Sequence, residues 1–119
     1  AVLDVTTGLG MGLITGGRLL SGNSGMAGEI GHVTIDPNGM LCGCGNHGCL
    51  ETVATDSALA RAVSQRYGTT LDIEDVIRLT RSGEIQPLDE LRETLEYLAI
   101  AVAMIINVFN PAAIFIPGG

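Results

Sequence analysis

The chain has 119 residues, 46% of them hydrophobic and 16% charged, a globular composition that excludes a disordered segment and allows one domain or part of one. Its formal net charge of −7, from six Lys and Arg against thirteen Asp and Glu, leaves no basic stripe for a phosphate backbone. These residues are therefore not expected to hold nucleic acid themselves.

The first residues, Ala1-Val2-Leu3-Asp4-Val5, carry no charged n-region before their apolar run, so no signal peptide is expected. The last, Pro117-Gly118-Gly119, follow a strand-like segment and read as a break inside a longer fold. Three cysteines, an odd number crowded into residues 42–49, suit a metal site in a reducing compartment better than a secreted disulfide framework. Cytoplasm is the expected location, without a membrane partner.

Residues 1–5 read as a β-strand and residues 6–12 as a hydroxyl-rich turn, whose alternate glycines would let a phosphate approach the backbone or would simply serve a tight turn. Residues 13–15 and 18–20 read as a hairpin turning at Gly16-Gly17. A loop over 21–28 leads to a predicted strand at 30–35, and Asp36-Pro37-Asn38-Gly39 to a turn. A helical stretch begins near Glu51 and covers 57–67 before Gly68, and Asp72 caps a short helix over 73–81 that ends at Gly83.

Pro87 suits the first turn of a long helix over 88–109, in which Leu88, Leu91, Leu95, Leu98, Val102, Ile105 and Phe109 recur at helical spacing and are expected to face a core. From Leu98 onward this helix is apolar nearly all round, so it is expected to be covered on more than one side, by its own fold or by a second subunit. That apolar run is shorter than the roughly 20 residues a membrane span needs. Residues 112–116 read as a strand. The pattern predicts an α/β domain.

The chemistry gathers in residues 28–51. His32, Cys42, Cys44 and Cys49 are one imidazole and three thiols, the number and kind of ligand that closes a tetrahedral structural zinc site. Gly43, Gly45 and Gly48 let the loop wrap tightly. The alternative is three reduced cysteines and a surface histidine. A closed site activates no water; it holds a loop and fixes the His32 ring so that its other nitrogen faces a ligand. His47 is read as exposed. Glu29 and Glu51 bracket the cluster, and spacing equally allows them to bind sugar hydroxyls or to be solvated charges at helix starts.

Gly28-Glu29-Ile30-Gly31-His32 and Cys42-Gly43-Cys44-Gly45-Asn46-His47-Gly48-Cys49-Leu50-Glu51 resemble the ROK family of repressors and sugar kinases. Thr7-Gly8-Leu9-Gly10, Asn107-Val108-Phe109-Asn110-Pro111 and Gly118-Gly119 extend the resemblance over the whole chain. It implies an α/β fold of two ribonuclease-H-like lobes, similar to actin and hexokinase, with sugar in the cleft between them; residues 1–119 correspond to part of the second lobe, with the zinc loop embedded. By the same resemblance Gly8, Glu29, His32 and Glu51 meet the sugar, and His32, Cys42, Cys44 and Cys49 hold zinc. Thr7, Gly8 and Gly10 would meet ATP phosphates, with Gly118 and Gly119 opening the adenosine site.

The family's kinases usually carry Gly-Thr-Gly at the phosphate turn, and Thr6 stands here in place of the first glycine, where a β-branched side chain restricts backbone approach. The family's general base, an aspartate, lies upstream of the matched segment, and neither Asp4 nor Asp36 occupies its motif. No catalytic residue and no kinase activity are expected of these residues alone. The reading adopted is the effector-sensing, sugar- or amino-sugar-binding domain of a transcriptional regulator, homo-oligomeric, touching DNA only through a domain outside these residues. The alternative is the second lobe of a sugar kinase using ATP and Mg²⁺. A purely structural zinc module leaves Glu29 and Glu51 without a role.

Overall fold

The computed structural model describes residues 1–5 and 8–117, with the backbone alone for Asp4 and Val5. Strands β1 (Val2–Val5) and β2 (Leu9–Gly12) pair antiparallel, with Val2 opposite Gly12 and Val5 opposite Leu9. The turn expected over 6–12 is thus a strand from Leu9 onward. Leu9 and Met11 alternate onto the face that Leu3 occupies, and burying that face favours pairing over a loop. A separate small hairpin follows, β3 (Ile14–Thr15) and β4 (Arg18–Leu19). Gly16 and Gly17 make its turn at φ of 58° and 76°, a conformation that glycine adopts without steric cost.

The strand expected at 30–35 is absent. Ile30–His32 forms a 3₁₀ turn, closed by Val33 N–H donating to the Ile30 carbonyl, and beyond it only Thr34 bridges, antiparallel to Cys49. Burial of Ile30 and Gly31 against the hairpin selects the turn: an extended Gly28–Ile35 segment would send successive side chains to opposite faces. A second 3₁₀ turn, Leu50–Thr52, replaces the start of the helix expected at Glu51.

Helix α1 (Asp56–Tyr67) is capped by Thr55, whose hydroxyl accepts from Ala58 N–H at 3.1 Å, and stops at left-handed Gly68. Helix α2 (Ile73–Ser82) opens in a reciprocal capping box between Asp72 and Asp75 and stops at left-handed Gly83. The two pack through Leu59, Ala60, Val63 and Val76, and Ile85, beyond the end of α2, joins the same cluster. Helix α3 (Leu88–Phe109) runs back across the molecule and ends at Asn110, φ 47°. Beyond it, Phe115 bridges Val2 in parallel, with Leu3 N–H donating to the Phe115 carbonyl and Phe115 N–H to the Ala1 carbonyl, each at 2.8 Å. The strand expected at 112–116 is reduced to that bridge.

The principal core joins Leu3 and Leu9 of the hairpin, Ile30 and Leu50 of the two 3₁₀ turns, Ala54, and Ala101 and Ile105 of α3. The apolar stripe of α3 corrects its expectation in part. Leu98, Val102 and Ile105 pack on this core, but Leu88 and Leu95 are 67% and 52% exposed, with Leu91 and Phe109 exposed beside them. The first half of the helix meets α1 through a different face: Glu90 takes an ion pair from Arg66 at 3.0 Å, and Thr94 and Tyr97 line a shallow pocket against Ala58 and Ala62. Among the described residues no helix is long and apolar enough to cross a membrane.

Candidate functional site

The two 3₁₀ turns stand side by side under the hairpin, and between them runs the loop that carries the cysteines. Its course is set by backbone hydrogen bonds. Ile35 N–H donates to the Gly48 carbonyl at 2.8 Å, Gly48 N–H to the Met40 carbonyl at 2.8 Å, and Leu50 N–H to the Val33 carbonyl at 2.9 Å. Within it, Cys42 N–H donates to the Asn46 carbonyl at 2.7 Å and Gly45 N–H to the Cys42 carbonyl at 2.9 Å, a compact knuckle that carries Cys42 and Cys44. Gly48 is indispensable to this path, because at φ 69° any Cβ would overlap the Asp36 carbonyl. Gly43, expected to matter, has open space around it and no positive φ.

His32, Cys42, Cys44 and Cys49 converge: one ligand atom from each lies within 4.8 Å of all the others. His32 Nδ1 is 3.6 Å from Cys42 Sγ, and Cys44 Sγ is 3.5 Å from Cys49 Sγ. A tetrahedral ion bound at about 2.3 Å by sulfur and about 2.0 Å by nitrogen requires edges of roughly 3.6–3.8 Å, close to these two separations, and the donor types are those of a zinc site. Burial, with the other two thiols close by, pushes the Cys49 thiol up to about 12. The Asn46 backbone hydrogen bond holds the Cys44 thiol below its ordinary range. His47 is exposed and outside the cluster.

The sugar-contact candidates adjoin this cluster. His32 points Nδ1 at the sulfurs, and its Nε2 stands 3.9 Å from Glu29 Oε2. Glu51 Oε1 is 3.9 Å from His32 Nδ1 and 3.7 Å from Cys42 Sγ, while its Oε2 accepts the Leu9 N–H at 3.3 Å. Gly8 lies on the same carboxylate: a Cβ there would stand 3.2 Å from Oε2. Gly10 pairs with Asp4 in the hairpin and has open space where a side chain would be. Thr7, Gly118 and Gly119 lie outside the described residues.

Two supports were not among the residues expected from sequence. Gly31 is buried between Leu9 and Glu51, and the Leu9 amide is the donor that orients Glu51. Gly28, at φ 94°, lies so close to the Met11 carbonyl that a Cβ would overlap it. The Gly-Glu-Ile-Gly-His wording held the clue, since two glycines flanking an acid mark backbone packed against backbone.

A family model described as ROK family matches residues 1–119. The chain is 40% identical over 114 residues to the xylose repressor of Bacillus subtilis (strain 168), covering 96% of this chain and 29% of that protein. It is 36% identical over 131 residues to the glucokinase of Thermotoga maritima, covering 98% of this chain and 41% of that one. Among solved structures, the ROK hexokinase from Thermus thermophilus superposes with a TM-score of 0.88 at 36% identity, over 99% of this chain and 41% of that chain. A ROK glucokinase from Streptomyces griseus, in complex with glucose and AMPPNP, superposes with a TM-score of 0.87 at 31% identity, over 99% and 43%. The chain therefore spans well under half the length of these relatives, which include both repressors and kinases.

Proposed function

The chain belongs to the ROK family, and on that premise we propose that it supplies one wall of a sugar-binding cleft, ordered by a structural zinc on His32, Cys42, Cys44 and Cys49. The observation that carries this reading is the division of labour on the His32 ring. With Nδ1 facing the sulfurs as a metal ligand, the ring proton resides on Nε2. That N–H lies 3.9 Å from Glu29 Oε2, too far for a direct bond, and one hydroxyl oxygen at roughly 2.8 Å from each fits between them. Such a hydroxyl donates to Glu29 and accepts from His32, as a sugar hydroxyl can. Glu51 offers a second acceptor from the 3₁₀ turn that follows Cys49.

When bound, zinc supplies a cross-link and no open coordination position. Three thiolates on a divalent ion leave one net negative charge, and Glu29 and Glu51 add two more. This field opposes a phosphorylated ligand at the same spot and suits a neutral polyol. In a kinase, Gly8 and Gly10 would leave the backbone at the strand entry accessible to an ATP phosphate, Gly10 having open space where a side chain would be.

The whole protein is read as a sugar-sensing transcriptional regulator that binds DNA through residues outside this chain and assembles as a homo-oligomer. The similarity to the Bacillus subtilis repressor and the Thr6 substitution at the phosphate turn support this reading. A second reading, an ATP-dependent sugar kinase, has its support in the superposition on the Thermus thermophilus hexokinase. The two separate in one assay: full-length protein with a panel of hexoses and N-acetylhexosamines, measured for calorimetric binding and for ATP- and Mg²⁺-dependent phosphorylation. Binding without turnover is the expected result, and turnover of any sugar makes the protein a kinase.

A further inference from the structure

We propose that Cys44 and Cys49 form a peroxide-sensitive release for the metal and, through it, for the sugar site, an inference that rests on the zinc reading above. Cys44 is the exposed cysteine of the three, whereas Cys42 and Cys49 are buried. Its sulfur lies 3.5 Å from that of Cys49. An oxidant arriving from solvent meets Cys44 first and has a second sulfur within reach of the product.

The step balances with hydrogen peroxide as oxidant. The Cys44 thiolate attacks peroxide, an S–O bond forms, the O–O bond breaks, and the departing hydroxide takes a proton to become water. The Cys49 thiolate then attacks the sulfenic sulfur, the S–S bond forms, and a second hydroxide leaves and is protonated. In sum, two thiolates, one peroxide and two protons become one disulfide and two waters. His32 and Cys42 alone are half of a closed tetrahedral set and do not retain the ion.

The effect reaches the sugar contacts through short connections. Cys49 is the N-cap of the 3₁₀ turn bearing Glu51, its carbonyl accepts the Thr52 hydroxyl at 2.6 Å, and its backbone bridges Thr34, two residues beyond His32. Loss of the ion also frees the His32 ring that presents Nε2 beside Glu29.

The test uses full-length protein, first analysed for metal, then treated with hydrogen peroxide in the presence of a chromogenic zinc chelator. The expected result is release of the bound zinc, loss of two thiols with Cys42 left free, and a Cys44–Cys49 cross-linked peptide by mass spectrometry. Sugar affinity falls about tenfold or more and returns with dithiothreitol and zinc. Absence of metal before the oxidant overturns the zinc reading itself. Metal present but retained, a disulfide mapped to Cys42, or sugar affinity unchanged after release each overturns the switch alone. In Cys44→Ser protein that still carries zinc, peroxide-driven release slows at least about tenfold; unchanged release overturns the assignment of Cys44 as first target.

Discussion

The Glu51 carboxylate rests on Gly31 so closely that a methyl group at residue 31 would stand 3.0 Å from Oε2 and overlap the Leu9 carbonyl on its other side. Gly8 bounds the same carboxylate from the strand, and the Leu9 amide donates to it. Glu51 is thus held by two missing side chains, the Leu9 amide and the Cys42 thiol, whose sulfur lies 3.7 Å from Oε1, which gives the acceptor a defined place beside the cysteine cluster.

Gly31→Ala is expected to destabilise the chain by about 1–3 kcal/mol through forced overlap in a packed region. Gly43→Ala, with open space around it and no positive φ, should stay within about 0.5 kcal/mol of the parent. Urea denaturation of the two variants checks the pair, and equal effects would sink the packing account.

Glu29→Gln and Glu51→Gln are each expected to weaken sugar binding by roughly ten- to hundredfold, the loss of one hydrogen bond to a charged acceptor. Neither residue belongs to the metal set, so zinc content should be unchanged. Calorimetry on full-length protein, with metal analysis of the same samples, checks both halves.

Zinc affinity should rise from pH 6 to pH 8. In the metal-free fold the Cys49 thiol, ordinarily at 9.0, is pushed up to about 12 and is protonated across this range, so binding must displace its proton, which costs less as pH rises. Cys44, already held below its ordinary value, contributes less to the slope. The same raised value works against the metal-free fold above pH 9.0, because the unfolded thiol ionises there while the folded one stays protonated until about 12. Competition with a chelator at several pH values measures the slope, and a flat profile would argue against thiolate ligands.

Ile105→Ala, at a fully buried position of α3, should cost about 2–5 kcal/mol. Leu95→Gln, on the exposed ridge, should change the stability of residues 1–119 by no more than about 0.5 kcal/mol. Thermal melts of both decide whether α3 docks by the Ala101/Ile105 face; a comparable loss at Leu95 would mean that the ridge is covered.

Local chemistry was readable wherever a residue acts on its own neighbours. The Gly16-Gly17 hairpin, the Asp72 cap, the Gly68 and Gly83 stops and the extent of α3 follow from turn geometry and capping within a few positions. The clustering of the cysteines was readable for the same reason, since Cys42, Cys44 and Cys49 sit on one short loop.

What the sequence did not determine are the choices made by distant surfaces. Residues 30–32 have strand-like composition, yet burial of Ile30 and Gly31 under Leu9 turns them into a 3₁₀ turn and aims His32 at the sulfurs. The stripe of α3 specifies a helix, yet an ion pair from Arg66 to Glu90 and the packing of Ala101 and Ile105 decide which part of it is covered. Periodicity records that an apolar face exists; only the partners brought together by folding, through burial of area that neither segment holds alone, decide which way it turns.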